Sequence, residues 1–265
     1  MNEVITSRNN LNIKYAKKLL SLSSFRKEEG AFAIEGVRLC ADAINSGIEI
    51  QTVFYTKKCL DKFHETIFNI IDSSQKNFEV SEDVMKCISD TDTPQGVVCI
   101  CKIKILQSEI DYSKSLILLE NIQNPSNLGS IFRTCDALGL QNVVVSGNSC
   151  DIYNPKVLRG SMGAIFRLNV KIEENFVKFL SDLKNKNYQI YATAPSDDAE
   201  ILGTEKIFSK KCAVIFGNEG NGITEETFLN SDAKLTIPMN SNAESLNVST
   251  AVGIIVWEMT KGGLA

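Results

Sequence analysis

Apolar residues along this chain recur in two patterns, one spaced at about 3.6 residues and the other as short unbroken runs, which predict helices and buried strands respectively. Between residues 10 and 22 the spacing of Ile13, Ala16, Leu19 and Leu20 is helical. Strands at 32–34, 52–55, 77–80 and 96–101 then alternate with helices at 36–45, 58–69 and 82–89. These elements form a small α/β domain. The stretch 102–114 is polar and charged with isolated apolar residues, as a connection would be. Boundaries follow at 1–103 for a first domain, 104–114 for a linker and 115–265 for a second domain. In that second part strands are predicted at 115–119, 142–145, 164–170, 189–193, 213–216 and 234–237, and helices at 127–138, 155–163, 173–186 and 246–259. Helix 173–186 carries Phe176, Phe179, Leu180 and Leu183 on one face and acids at its start, which favour the helix dipole. Such alternation predicts an α/β fold with a mainly parallel sheet and helices on both faces.

Composition narrows the function class. Of 265 residues 43% are hydrophobic and 23% charged, globular values. No apolar run approaches the roughly 18 residues of a membrane span, and the first residues lack the basic and apolar regions of a secretory leader. The expected compartment is the cytoplasm. Eight cysteines without a C-x-x-C spacing, most of them inside apolar runs, read as reduced core residues. The single histidine, His64, lies in a charged segment, which weighs against Ser-His-Asp, Cys-His and histidine-zinc chemistry. A net charge of −4 argues against indiscriminate polyanion binding, yet residues 1–27 hold Arg8, Lys14, Lys17, Lys18, Arg26 and Lys27 against Glu3 alone. A local basic face is thus compatible with an acidic chain.

Three segments carry candidate chemistry. The loop 120–127, after a predicted strand, is dense in amides, and on the following helix Arg133 falls almost opposite the apolar arc of Leu128, Ile131, Phe132, Cys135 and Leu138. A guanidinium there suits a phosphate; taken alone, it equally suits a surface ion pair with Asp136. A glycine-dense turn, Phe216-Gly217-Asn218-Glu219-Gly220-Asn221-Gly222, follows a second strand. Its glycine order is not that of the dinucleotide fingerprint, and no P-loop occurs. A third segment runs from Ile237-Pro238-Met239 to Ser245-Leu246-Asn247-Val248-Ser249 and opens an apolar helix. Ser245 there can act as a helix N-cap, which does not account for Asn240, Asn242, Glu244 and Asn247 around the same helix mouth. Ligands bind where parallel strands end, and glycine lets backbone approach a ligand closely. The region reads as a cofactor pocket.

Taken together, these segments resemble the SpoU family of RNA ribose 2′-O-methyltransferases within the SPOUT class. Asn127-Leu128-Gly129-Ser130-Ile131-Phe132-Arg133-Thr134 is similar to the family's first motif, Gly217-Asn218-Glu219-Gly220 to its second, and Ile237-Pro238-Met239 with Ser245-Leu246-Asn247-Val248-Ser249 to its third. The segment from Lys156 to Ala164 is similar to one these proteins carry between the first two motifs, and Phe32-Ala33-Ile34-Glu35-Gly36 resembles their N-terminal substrate-binding domain, related to RNA-binding ribosomal proteins.

The resemblance implies a C-terminal trefoil knot, S-adenosyl-L-methionine as cofactor, RNA as substrate and a homodimer, without metal or membrane. By the same carry-over, Thr193, Ala194, Gly217, Asn218, Ile237, Met239 and Leu246 hold the cofactor. Asn127, Arg133 and Asn247 line the reaction site, and Glu219 and Ser245 orient the target nucleotide or shape the pocket. Arg8, Lys14, Lys17, Lys18 and Arg38 become the RNA contacts. Arg133 is expected to clamp a phosphate and stabilise a developing alkoxide, because a guanidinium does not deprotonate in proteins. The extra N-terminal domain favours ribosomal over transfer RNA. Two alternatives remain open: a catalytically silent RNA-binding or ribosome-assembly protein of the same fold, and a nicotinamide-dependent enzyme, against which the glycine order speaks.

Overall fold

The computed structural model describes residues 4–103, 110–196, 199–203, 208, 211–240 and 245–261. Residues 104–109 of the expected linker, and Asn242 and Glu244 of the third segment, lie outside the described residues. By contacts the chain divides into two units that are not colinear with the sequence: Met1–Ile105 with Asp151–Phe166, and Leu106–Cys150 with Arg167–Ala265. Among the described residues no helix is long and apolar enough to cross a membrane.

The first unit is built on strands β1 (Ala31–Glu35), β2 (Ile50–Tyr55), β3 (Ser74–Glu79) and β4 (Val97–Lys102), in the order β1-β4-β2-β3. The sheet is mixed: β4 runs antiparallel to both β1 and β2, and β2 pairs parallel with β3. Against it packs the helix Leu11–Ser21, with Ile13, Ala16 and Leu19 inward. The helix predicted at 58–69 is two helices, Lys57–Lys62 and His64–Asp72, broken at Phe63, whose φ of −125° and ψ of 42° leave the helical range.

The predicted strand 164–170 is corrected. Ala164–Phe166 forms a turn of 3-10 helix buried in the first unit, with Phe166 6.2 Å from Phe32 between ring centroids. Tyr153 lies 4.7 Å from the same ring, and Asp151 pairs with Arg26 at 2.6 Å. The apolar run therefore serves this core, and strand pairing resumes only at Asn169. Arg26 is correspondingly 2% exposed and donates to the Leu19 carbonyl at 2.6 Å. Charge alone places it in the basic face, and its burial removes it from that face.

The second unit holds β5 (Leu116–Leu119), β6 (Asn142–Ser146), β7 (Asn169–Glu173), β8 (Gln189–Thr193), β9 (Glu200–Ile201), β10 (Cys212–Phe216) and β11 (Ala233–Thr236). Their order is β7-β6-β5-β10-β8-β11-β9, and every pair is parallel. One sheet face, including Leu116, Leu118, Ile190, Ala192, Ala213 and Ile215, packs on Phe176, Phe179, Leu180 and Leu183 of the helix Phe176–Asn185. That helix starts at its N-cap Asn175, so the acids before it lie outside its first turn: Glu173 ends β7 and pairs with Lys171 at 2.7 Å. The other sheet face is equally buried, with Ile117, Leu119, Val143, Val145, Val214 and Phe216 at most 1% exposed. The helices Pro125–Ala137 and Val248–Thr260 pack on each other.

Candidate active site

Because all strands run the same way, the loops after β5, β8, β10 and β11 emerge at one edge, and these four are neighbours in the sheet. The last three, with the segment that opens the final helix, surround a cleft of about 660 Å³, within the range of about 300–1,000 Å³ of small-molecule sites. Thr193, Ala194, Gly217, Asn218, Ile237, Met239 and Leu246 all line it, as do Glu219, Ser245 and Asn247. Among the described residues Glu219 is the only ionisable side chain in this lining. One carboxylate and, among the described residues, no cation make a lining compatible with a cationic or neutral ligand.

The glycine turn is held in an unusually tight loop. Asn218 and Gly222 exchange both main-chain hydrogen bonds at 2.9 Å. A Cβ on Gly217 would lie 2.2 Å from the Gly222 carbonyl carbon, so no other residue fits. The Asn218 side chain accepts from the amides of Gly220 and Asn221 at 2.9 Å and donates to the Asn121 carbonyl at 2.8 Å. Polar side chains are thus consumed inside the turn, and main-chain groups and small residues are left to face a ligand. Thr193 follows the same rule, its hydroxyl donating to the Ile215 carbonyl at 2.9 Å.

Glu219 crosses from this turn to the loop after β5. Its carboxylate accepts from the amides of Gln123 at 3.2 Å and Asn124 at 3.1 Å, and from the side chain of Asn127 at 2.9 Å. These amides open the helix Pro125–Ala137, whose N-terminus favours negative charge. Burial works to raise the carboxyl's pKa, but the hydrogen bonds from Asn127 and from the amides of Glu219, Gln123 and Asn124 outweigh it and hold the group below its ordinary value. Asn127, 8% exposed, accepts in turn from the Asn247 side chain at 3.1 Å. Asn247 caps the last helix by accepting from the Ser249 amide at 2.9 Å. The cap is therefore Asn247 and not Ser245, which is exposed and has no hydrogen-bond partner among the described residues.

Arg133 lies outside the lining of the cleft. It is exposed and has no acidic partner among the described residues, because Asp136 is taken by a two-pronged contact from Arg167 at 2.6 and 3.1 Å. In the first unit Arg8, Lys14, Lys17, Lys18 and Arg38 are all exposed.

One residue escaped the sequence reading. Glu120, 5% exposed at the end of β5, accepts from the Thr224 amide at 3.1 Å and from the hydroxyls of Thr224 at 2.7 Å and Thr227 at 2.8 Å. It fixes the far end of the glycine turn, where the short helix Glu225–Leu229 begins. The available signal was an acid directly after an apolar strand, with threonines three apart near a helix start.

Comparison with known proteins agrees with this geometry. The family model described as SpoU rRNA Methylase family matches residues 114–257, and that for the MRM3-like substrate binding domain matches residues 10–99. The Bacillus subtilis strain 168 protein named 23S rRNA (guanosine(2553)-2′-O)-methyltransferase RlmP is 30% identical over 256 residues, covering 96% of this chain and 98% of its own. The Streptomyces viridochromogenes 23S rRNA (uridine(2479)-2′-O)-methyltransferase is 24% identical, covering 97% and 91%. Among solved structures, the AdoMet-bound rRNA methyltransferase from Sinorhizobium meliloti superposes with a TM-score of 0.82 at 26% identity, covering 97% of this chain and 96% of that one.

Proposed function

The chain belongs to the SpoU rRNA methylase family, and from that premise we propose that it methylates a ribose 2′-hydroxyl of ribosomal RNA, using S-adenosyl-L-methionine bound in the glycine-turn cleft. The observation that carries the reading is the hydrogen-bonded chain from Asn247 through Asn127 to Glu219, at the mouth of a cleft with one carboxylate and, among the described residues, no cation. The tight glycine turn, closed at Gly217 where a Cβ would strike the Gly222 backbone, and with the Asn218 side chain engaged within the protein, fits the cofactor.

When bound, that cofactor supplies an electrophilic methyl group. The protein's task is then alignment, which contributes much of the rate in an in-line displacement. Glu219, ionised and occupied by three donors, positions rather than abstracts a proton. It fixes the Asn127 amide, and the hydroxyl of Ser245, without a hydrogen-bond partner among the described residues, is available to the incoming ribose. Arg133, exposed without an acid partner among the described residues, is available to fork onto an RNA phosphate and to stabilise negative charge developing on the 2′-oxygen. The hydroxyl proton leaves late, to water.

Residues 1–103 bind substrate, 104–114 connect, and 115–265 carry the chemistry, except that the segment 151–166 belongs to the first unit by its contacts. The exposed face with Arg8, Lys14, Lys17 and Lys18 supplies phosphate contacts. The enzyme works in the cytoplasm as a homodimer. Exposed apolar side chains in the second unit, Leu229 at 78% and Trp257 at 55%, support a buried self-interface.

The test is transfer of labelled methyl groups from S-adenosylmethionine to ribosomal and transfer RNA kept separate. Label is expected in ribosomal RNA as an alkali-resistant dinucleotide, and is expected to fall sharply in Arg133→Lys, which keeps the charge but loses the fork. Label in transfer RNA alone overturns the substrate. Cofactor and RNA binding without transfer, on naked RNA and on ribosomal particles alike, overturns the enzymatic reading in favour of a silent binding protein.

A further inference from the structure

A second cavity, of about 360 Å³, lies in the first unit. It opens at Gly36, where β1 turns into the helix Val37–Asn45 with a φ of +100°. A Cβ there would also press on the Gln95 side chain at 3.3 Å. Gln95 accepts from the Val37 amide at 2.9 Å, and the next first-turn amides, of Arg38 and Leu39, have no intrahelical acceptor. The Arg38 side chain lines the cavity, is exposed, and has no ion pair among the described residues.

Arg159 contributes a second guanidinium, held by Asp90 at 2.6 Å. The loop bearing Asp90 is itself pinned by Glu35. That 8% exposed carboxylate accepts from the Asp90 amide at 2.9 Å and from the hydroxyls of Ser89 and Thr91. Glu35 is thus turned toward protein donors, and it orients Arg159 through Asp90.

The apolar wall is equally specific. Leu39 and Met162 line it, and Met162 is 39% exposed. Its backbone is left-handed, with φ 51° and ψ 42°, at the end of the helix Pro155–Ser161. Glycine or asparagine ordinarily occupies such a position, so a strained backbone holds a large, adaptable thioether at the cavity mouth. Asp42, also in the lining, supplies an acceptor.

Two guanidinium groups and helix-start amides for a phosphate, an apolar wall for a ring face and one acceptor for an N–H or ribose hydroxyl make the chemistry of a single nucleotide. We propose that this cavity receives one unpaired nucleotide of the RNA substrate, with its phosphate on Arg38 and Arg159 and its base against Leu39 and Met162. This rests on the RNA-methylating reading above. Splayed bases read by stacking and by arginine are the usual mode of single-stranded RNA recognition.

The test uses the full chain and transcribed bacterial 23S rRNA. Filter binding is measured alongside calorimetric affinity for S-adenosylmethionine and chemical probing of unpaired bases. Arg38→Glu and Met162→Gly are each expected to weaken RNA binding about tenfold or more, to leave cofactor affinity unchanged, and to expose the same base that the unaltered protein protects. Met162→Gly relieves the left-handed strain, so its unfolding midpoint is not expected to fall. Wild-type affinity in both variants, with methyl transfer intact, overturns the pocket and spares the enzyme. Weaker binding by Arg38→Glu with no protected base in the unaltered complex also overturns it, because contact is then with the backbone alone. If the unaltered chain neither binds nor methylates the RNA, the functional reading falls, and the pocket with it.

Discussion

The side chain of Asn127 joins Glu219, 92 residues away, to Asn247, 120 residues away, donating to the first at 2.9 Å and accepting from the second at 3.1 Å. The orientation is forced. An ionised carboxylate only accepts, so Asn127 must turn its nitrogen to Glu219 and its oxygen to the Asn247 nitrogen, leaving the Asn247 oxygen to cap the last helix.

Reversing that polarity at Asn127 breaks the chain at its centre. Asn127→Asp sets a second carboxylate against Glu219, and methyl transfer is expected to fall about 100-fold, the effect of misplacing reacting groups by an ångström. Cofactor affinity, measured by calorimetry, is expected to change far less, since Asn127 does not line the cleft.

Glu219 links stability to pH. Its folded-state pKa lies below the ordinary 4.5, so its contribution is fully present above about 4.5 and is lost as pH falls through the lowered folded value. The difference in unfolding midpoint between the wild type and Glu219→Gln should therefore be larger at neutral pH than in strong acid. A difference that does not shrink on acidification would contradict the assignment.

Gly217→Ala meets backbone, not a movable side chain, at 2.2 Å. We expect a loss of stability of about 1–3 kcal/mol together with loss of S-adenosylmethionine binding. Denaturant melts and calorimetry read the two separately.

The pair Arg26–Asp151, with side chains 3% and 13% exposed, ties the segment Asp151–Phe166 into the first unit. Asp151→Ala strands a buried guanidinium and should cost about 3–5 kcal/mol. A double replacement by Met and Leu should recover most of that loss, since an apolar pair of similar volume escapes the desolvation of two ions. Urea denaturation of the three proteins decides it.

Local pattern carried much of this protein into view. Helical spacing and apolar runs depend on neighbours in sequence, which is why the strand Gln189–Thr193 and the helix Leu11–Ser21 were legible to within a residue or two at each end. Motif residues such as Gly217 and Glu219 were legible because their residue types and spacing are also local. The run at 164–166 was misread for the same reason. Its apolarity declared burial but not in which core, and contact with Phe32 assigned it to the first unit.

What local pattern does not contain is the order of strands. β10 inserts between β5 and β8, and β11 follows beyond β8, so three segments far apart in sequence meet at one sheet edge. That order is set by which buried faces pack together, a sum over long-range contacts that no single window reports. Sequence alone determined most of the elements and the residue types of the site. Tertiary structure decided that Asn127, Glu219 and Asn247 form one chain, that Asn247 rather than Ser245 caps the last helix, and that Arg26 is a buried ion and not part of the basic face, because each depends on a partner that only folding brings within reach.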